Sequence, residues 1–223
     1  MLSIDTKKKE LIGNYKNGGQ EWRPKGTPRE VKVHDFLDQQ LGKAIPYGVY
    51  DITQNTGFVS VGIDHDTGEF AVQTIRRWWN RVGQKAYPKA KQLYLTAEGG
   101  GSNASRSRLF KLELQKFADE TQLKILVSHY PPGTSKWNKI EHHMFCHLTA
   151  NWRAVPLESR EIVVELISHT TTAKGLSIQA ELDTNTYAQG RVVTKQEFAA
   201  LALTRAAVHG EWNYTLAPRR KVP

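Results

Sequence analysis

The hydrophobic period of this chain holds at the strand repeat through its first third and only then begins to alternate with the helical one, and that change limits the architectures open to it. In the first third the apolar runs are short, β-branched and aromatic. Residues 2–6 read as a strand that ELIGNY continues or pairs with, and VKVHDF, YGVYDIT and FVSVGID follow, the last two joined by a hairpin turn at Gln54, Asn55, Thr56 and Gly57. The spacing then lengthens: Phe70, Ile75, Trp78, Trp79 and Val82 form a helical stripe that Gly83 and Pro88 end. QLYLTA returns to a strand, Leu109, Leu112, Leu114, Phe117 and Ala118 mark a second helix, and KILVSHY is a strand closed by PPG. A third helix, NKIEHHMFCHLTANW, carries Ile140, Met144, Phe145 and Leu148 on one apolar face.

Strands first and then helix alternating with strand give β-β-β-α-β-α-β-α, a mixed sheet with helices on its faces. The expectation is an α/β, ribonuclease-H-like core with a five-stranded mixed sheet over residues 1–155, interrupted by a Gly, Pro and charge-rich loop at about 17–35. Residues 156–223 are expected as a small helical and extended C-terminal extension packed on that core: a helix in LESREIVVELISHTT, a polar connector through Thr184, Asn185 and Thr186, a capping box of Thr194 with Glu197, and an extended end docked through Trp212 and Tyr214.

No apolar stretch approaches the roughly 18–20 residues of a membrane span, and the N-terminus lacks the order of a secretory signal, so a cytoplasmic protein without a membrane partner is expected. Cys146 is the single cysteine, which excludes an internal disulfide; between Phe145 and Leu148 it reads as a buried small apolar residue. The formal charge of +9 favours a polyanion, with nucleic acid ahead of membrane. Lys7 to Lys9, Arg76 with Arg77, Arg106 with Arg108, and Arg219 to Lys221 are clusters able to track phosphates.

Three carboxylates fall at informative places in this order: Asp5 on the first strand, Glu98 at the end of the fourth, and Glu141 on the closing helix. Clustered carboxylates repel one another unless a cation neutralises them, and oxygen-only ligands favour Mg²⁺, with Mn²⁺ as substitute. Two such ions about 3.5–4 Å apart activate a nucleophile and stabilise the leaving oxygen of a phosphodiester. Glu98 precedes Gly99, Gly100, Gly101, Ser102 and Asn103, a turn that allows close approach of a metal, phosphate or DNA strand, and lacks the ending of a P-loop. Lys136, Trp137, Asn138 and Lys139 bring charge, a stacking surface and an amide beside Glu141, so with Lys7, Asn103, Arg106 and Arg108 they are the candidate DNA contacts. His143 and His147 have i,i+4 spacing but no third soft ligand for zinc, and Asp64 with Asp66 fits an ordinary turn.

The segments SIDTKKKELIGNYKNGG, EWRPKGTP, VHDF, GKAIPYGVYDIT, VSVGIDHDTGEFAV, IRRWW, GGGSN, PPGTSKWNKIEH and HGEWNY span nearly the whole chain. In them the chain resembles the Rhodopirellula-type DDE transposases of bacterial insertion sequences. The resemblance implies Asp5, Glu98 and Glu141 as catalytic and metal-binding acids, two Mg²⁺ ions, hydrolysis at transposon ends and strand transfer by the freed 3′-hydroxyl. It also implies double-stranded DNA, element ends and target, as partner, a homo-oligomer on that DNA, and a nucleoid-associated bacterial protein. The family has Asp before the glycine run where this chain has Glu98, so a catalytically impaired DNA-binding or subunit-interaction module is the alternative. Such transposases usually carry a helix-turn-helix region ahead of the first catalytic strand; its absence here leads to the expectation of a fragment, a degraded copy or a trimmed domain.

Overall fold

The computed structural model describes residues 1–219 apart from Asp35, Leu37 and Pro132. Its strands are β1 (Leu2–Thr6), β2 (Glu10–Leu11), β3 (Lys43–Asp51), β4 (Thr56–Gly62), β5 (Gln92–Ala97), β6 (Lys124–His129), β7 (Ser177–Asp183), β8 (Leu203–Arg205) and β9 (Asn213–Leu216). The α-helices are α1 (Gly68–Trp78), α2 (Gln84–Ala86), α3 (Arg108–Thr121), α4 (Cys146–Asn151), α5 (Arg160–Ser168) and α6 (Lys195–Ala199). A π-helical turn, Trp79–Gly83, joins α1 to α2, and another, Glu141–Phe145, leads into α4.

Across the sheet the order is β7-β4-β3-β1-β5-β6-β9-β8, with β2 paired to β3 off that path. β1 lies antiparallel to β3 and parallel to β5, β5 is parallel to β6, and β3 and β4 form the antiparallel hairpin. The five strands β4-β3-β1-β5-β6 are the ribonuclease-H-like mixed sheet that the period change predicts. The chain beyond Pro156 widens it at both edges: β7 adds parallel to β4, and β9 adds antiparallel to β6 and carries β8.

Alternation along the strands sorts side chains onto two faces. Leu2 and Ile4 of β1, Tyr47 and Val49 of β3, and Leu95 and Ala97 of β5 join α1 and α3 in one core. Tyr50, Val59 and Val61 join Ile140, Met144, Phe145, Leu148 and Val163 in a second core on the other face. Helix starts follow sequence chemistry: the hydroxyls of Thr67, Ser107 and Ser159 each accept an amide three residues on, and Thr194 with Glu197 forms the expected capping box.

Several expectations are corrected. VKVHDF forms no strand among its described residues, only an isolated bridge from Lys32 to Tyr15, and Asp35 within it is outside the described residues. Gly83 does not end the first long helix, which continues to Ala86. β7 and β8 form where the hydrophobic period signals no strand. Cys146 is exposed, because Met144, Phe145 and Leu148 take the sheet side of their helix and turn the thiol to the other.

Candidate active site

β1 is central and short, and its two faces have different chemistry. Leu2 and Ile4 enter the apolar core, while Ser3 bonds to Asn138 on the helix side and Asp5 does the same two residues later. In the parallel pair β1 with β5 the last registered residues are Ile4 and Ala97. Asp5 and Glu98 are the next residue on each, so both acids stand at the C-terminal ends of neighbouring strands, where ligands gather in open α/β sheets.

Glu141 reaches the same end from the other face. Asp5 pairs with Gly48 across β1 and β3. A Cβ on Gly48 would lie 2.6 Å from Met144 Cε, 2.7 Å from Phe145 Cε1 and 2.9 Å from Ile140 Cδ1, so the missing side chain lets the Glu141 helix settle directly on the sheet beside Asp5. Asn138, fully buried, locks the join. Its Nδ2 donates to Asp5 Oδ2 at 2.9 Å, its Oδ1 accepts from the Ser3 hydroxyl, and Ser3 Oγ in turn accepts the Ile140 amide at 3.1 Å. The other Asp5 oxygen, Oδ1, accepts the Thr6 amide at 2.8 Å.

The three acids feel one another. Burial first, then the field of Glu98 and more weakly that of Glu141, push Asp5 up to about 8, against the opposing pull of the Thr6 amide and the Asn138 amide. Glu98 is raised by burial and then by Glu141. Glu141 is raised by burial, with Lys7 and His142 pulling it back. Among the described residues no group of three or more His, Cys, Asp or Glu side chains is drawn into ligating range of one point, so the acids share a field without being closed on a common centre. The donor set nevertheless suits a hard divalent cation: it is all oxygen, and its mutual repulsion is what such a charge relieves. Beside Glu98, Asn103 Oδ1 is buried with no donor while Asn103 Nδ2 points to the Glu98 carbonyl at 3.4 Å, leaving an acceptor that a hydrated ion would satisfy.

The predicted DNA contacts divide by exposure. Arg106, Arg108, Lys136, Trp137 and Lys139 are exposed, with Arg108 lying over the Phe198 ring at 5.2 Å. Asn138 and Asn103 are buried and bonded within the protein, which places them behind the acids rather than at a DNA surface. Lys7 is also buried, over the Trp152 ring at 4.4 Å and 3.5 Å from Glu10, and its ammonium faces the Glu141 field. It forms one wall of an open groove of about 810 Å³ that runs past Glu141, Lys8, Trp152 and Arg153.

His143 stacks on Tyr50 at 5.8 Å and joins no ligand cluster among the described residues. Asp64 accepts the Tyr187 amide, a loop role. Asp66 does more than a turn requires: it accepts the Thr6 hydroxyl at 3.0 Å, next to Asp5, and that hydroxyl lies 3.3 Å from Ser102 of the glycine loop. Arg220 and Lys221 are outside the described residues.

Sheet order defines a ribonuclease-H-like domain, with two candidate acids at adjacent strand ends. The family described as the Rhodopirellula transposase DDE domain matches residues 1–218, and the chain belongs to it. No curated protein is significantly similar. Among solved structures, a Mos1 transposase paired-end complex with the left transposon end is similar at a TM-score of 0.49 and 14% identity, over 74% of this chain and 45% of that one. The chain therefore spans less than half of that relative's length. No helix among the described residues is long and apolar enough to cross a membrane.

Proposed function

We propose that this chain is the catalytic domain of a DNA transposase that cuts at insertion-sequence ends and joins the freed 3′-hydroxyl to target DNA. The observation that carries the reading is the placement of Asp5 and Glu98 at adjacent strand ends, with Glu141 on the helix that docks beside them through Gly48. These acids would hold Mg²⁺ or Mn²⁺, two ions in all. When bound, the ions supply Lewis-acid charge at the phosphodiester and acidify the attacking water or hydroxyl. Asp5 must give up its proton to serve as a ligand, and Asn138 and the Thr6 amide hold its two oxygens in place while it does so. Lys136, Trp137, Lys139, Arg106 and Arg108 meet the duplex, and Lys7 and Arg153 flank the groove beside Glu141. Residues 1–155 make the catalytic core, and the protein acts in the bacterial cytoplasm as an oligomer on DNA.

Glu98 favours a second reading, an impaired module that keeps the fold and the basic surface. Glutamate has the charge of the family's aspartate and one more methylene, and a displacement of about 1 Å at such a site costs on the order of a hundredfold in rate. Nicking and strand transfer on a duplex carrying the element's terminal repeats, with Mg²⁺ or Mn²⁺, separate the two. The transposase reading expects metal-dependent nicking by the natural chain and a gain of about 10–100-fold in Glu98→Asp. DNA binding without turnover, restored by Glu98→Asp, establishes impairment, and silence of both proteins sinks the triad assignment.

A further inference from the structure

We propose that Tyr214 and His129 form a brace, supplied by the chain's last strand, that fixes the backbone of Glu98 and so aims the second acid; both act as positioning residues. The inference rests on the transposase reading of Glu98. That acid is the first residue beyond β5, and behind it come Gly99, Gly100 and Gly101, the last at φ +67°, a stretch that offers little stiffness of its own. Its carbonyl is nevertheless held, by His129 Nδ1 at 3.0 Å with Asn103 Nδ2 beyond at 3.4 Å.

A carbonyl only accepts, so His129 Nδ1 must carry the proton. The other ring nitrogen, Nε2, lies 3.1 Å from the Tyr214 hydroxyl and accepts from it. Lys111 closes the pair on its other side: its ammonium sits over the Tyr214 ring at 4.9 Å and donates to the Ser105 carbonyl. The ring cannot turn freely: it stacks on Tyr214 at 5.6 Å and meets Phe110 edge-on at 6.4 Å. Its own backbone amide donates to Trp212 on the approach to β9, and Val127 registers with Tyr214 in the β6–β9 pair. Both side chains are at most 5% exposed, so neither meets DNA, and a polar pair buried this deeply is stable only because every polar atom is matched. A bond to the main chain of a metal-binding acid, itself fixed by a second partner, is the arrangement that sets ligand orientation.

The test uses the full chain. Imidazole ¹⁵N shifts should report His129 as the Nδ1–H tautomer. Asparagine can place its amide where Nδ1 stood, and glutamine where Nε2 stood, so the two replacements separate donation to Glu98 from mere occupancy. Mn²⁺ titration should show His129→Gln weakened by about 10–100-fold and Tyr214→Phe weakened in the same direction, with His129→Asn nearer the natural chain. Thermal midpoints recorded on the same samples must show the Asn and Gln variants equally folded, and a Gln variant that fails to fold leaves the contrast to Tyr214→Phe against His129→Asn. An Nε2–H tautomer, or equal metal affinity in the compared variants, overturns the brace alone. A natural chain and a Glu98→Asp variant that both bind no Mn²⁺ overturn the proposed function instead.

Discussion

Asp5 holds a proton that an exposed aspartate would have lost. Its value rises from the ordinary 3.8 to about 8 on folding, through burial and then its acidic neighbours, so the folded chain binds a proton that the unfolded chain releases over that range. The Asp5 contribution to the stability of the metal-free protein therefore falls as pH climbs from about 4 towards 8, since at that group the folded state is the better proton binder, while His129, held down at about 4 by burial, works the other way below its ordinary 6.5. Thermal midpoints of the natural chain and of Asp5→Asn across that window should show the natural chain losing ground to the variant as pH rises; a difference between the two that does not change with pH contradicts the assignment. The same proton competes with cations, so Mn²⁺ affinity should climb with pH and level off above about 8. Sequence pattern sufficed to place Asp5 and Glu98 at strand ends and Glu141 on a helix, because strand ends and a charged turn of helix can be read from hydrophobic period. It did not reveal what Asn138 does. An amide between Trp137 and Lys139 looks like a DNA contact until the fold shows it buried against Ser3 and Asp5, a pairing across most of the core that no local spacing encodes.

Among the elements, the Glu141 helix depends most on a single absence, the side chain of Gly48. Gly48→Ala would drive a methyl into Met144, Phe145 and Ile140 at under 3 Å, overpacking that typically costs about 1–3 kcal/mol and here also lifts Glu141 away from Asp5. Denaturant unfolding should register the loss, and nicking should drop further than stability alone explains. Adding Met144→Ala should recover part of both, and a neutral Gly48→Ala would mean that the helix is not seated as described. The inner strands are legible, since β1, β3 and β4 are buried on both faces and β5 and β6 keep a buried residue at every second position. β7 was hidden because SIQAELD sits at an edge, where Gln179 stays exposed and Glu181 pairs with Arg77 and Arg81 instead of packing. VKVHDF failed in the opposite sense: its alternation suits a strand, but Lys32 finds only the bridge to Tyr15, and β propensity without a sheet neighbour makes no strand.

For the molecule as a whole, the C-terminal third is tied to the core by buried charge as well as by strand pairing. Arg77 of α1 donates to Asp183 of β7 at 2.9 Å, and the Tyr187 hydroxyl donates to the same fully buried carboxylate at 2.6 Å. Removing one partner of such a pair leaves an unmatched buried charge, and Arg77→Ala should cost about 3–5 kcal/mol in equilibrium unfolding. A change below about 1 kcal/mol would show the clasp to be solvated. Composition gave no hint that the last seventy or so residues would reach both margins of one sheet, because which edge a late strand joins is settled by non-local pairing. The strictest demand falls on β1. Its neighbours on both sides fix its register, and its five residues alternate between an apolar face and the face that holds Ser3 and Asp5. A slip of one position would thrust the acid into oil and leave Ile4 facing Asn138. Misthreaded copies therefore have no comfortable resting place, and folding itself acts as the inspector that admits only chains whose first acid points the right way.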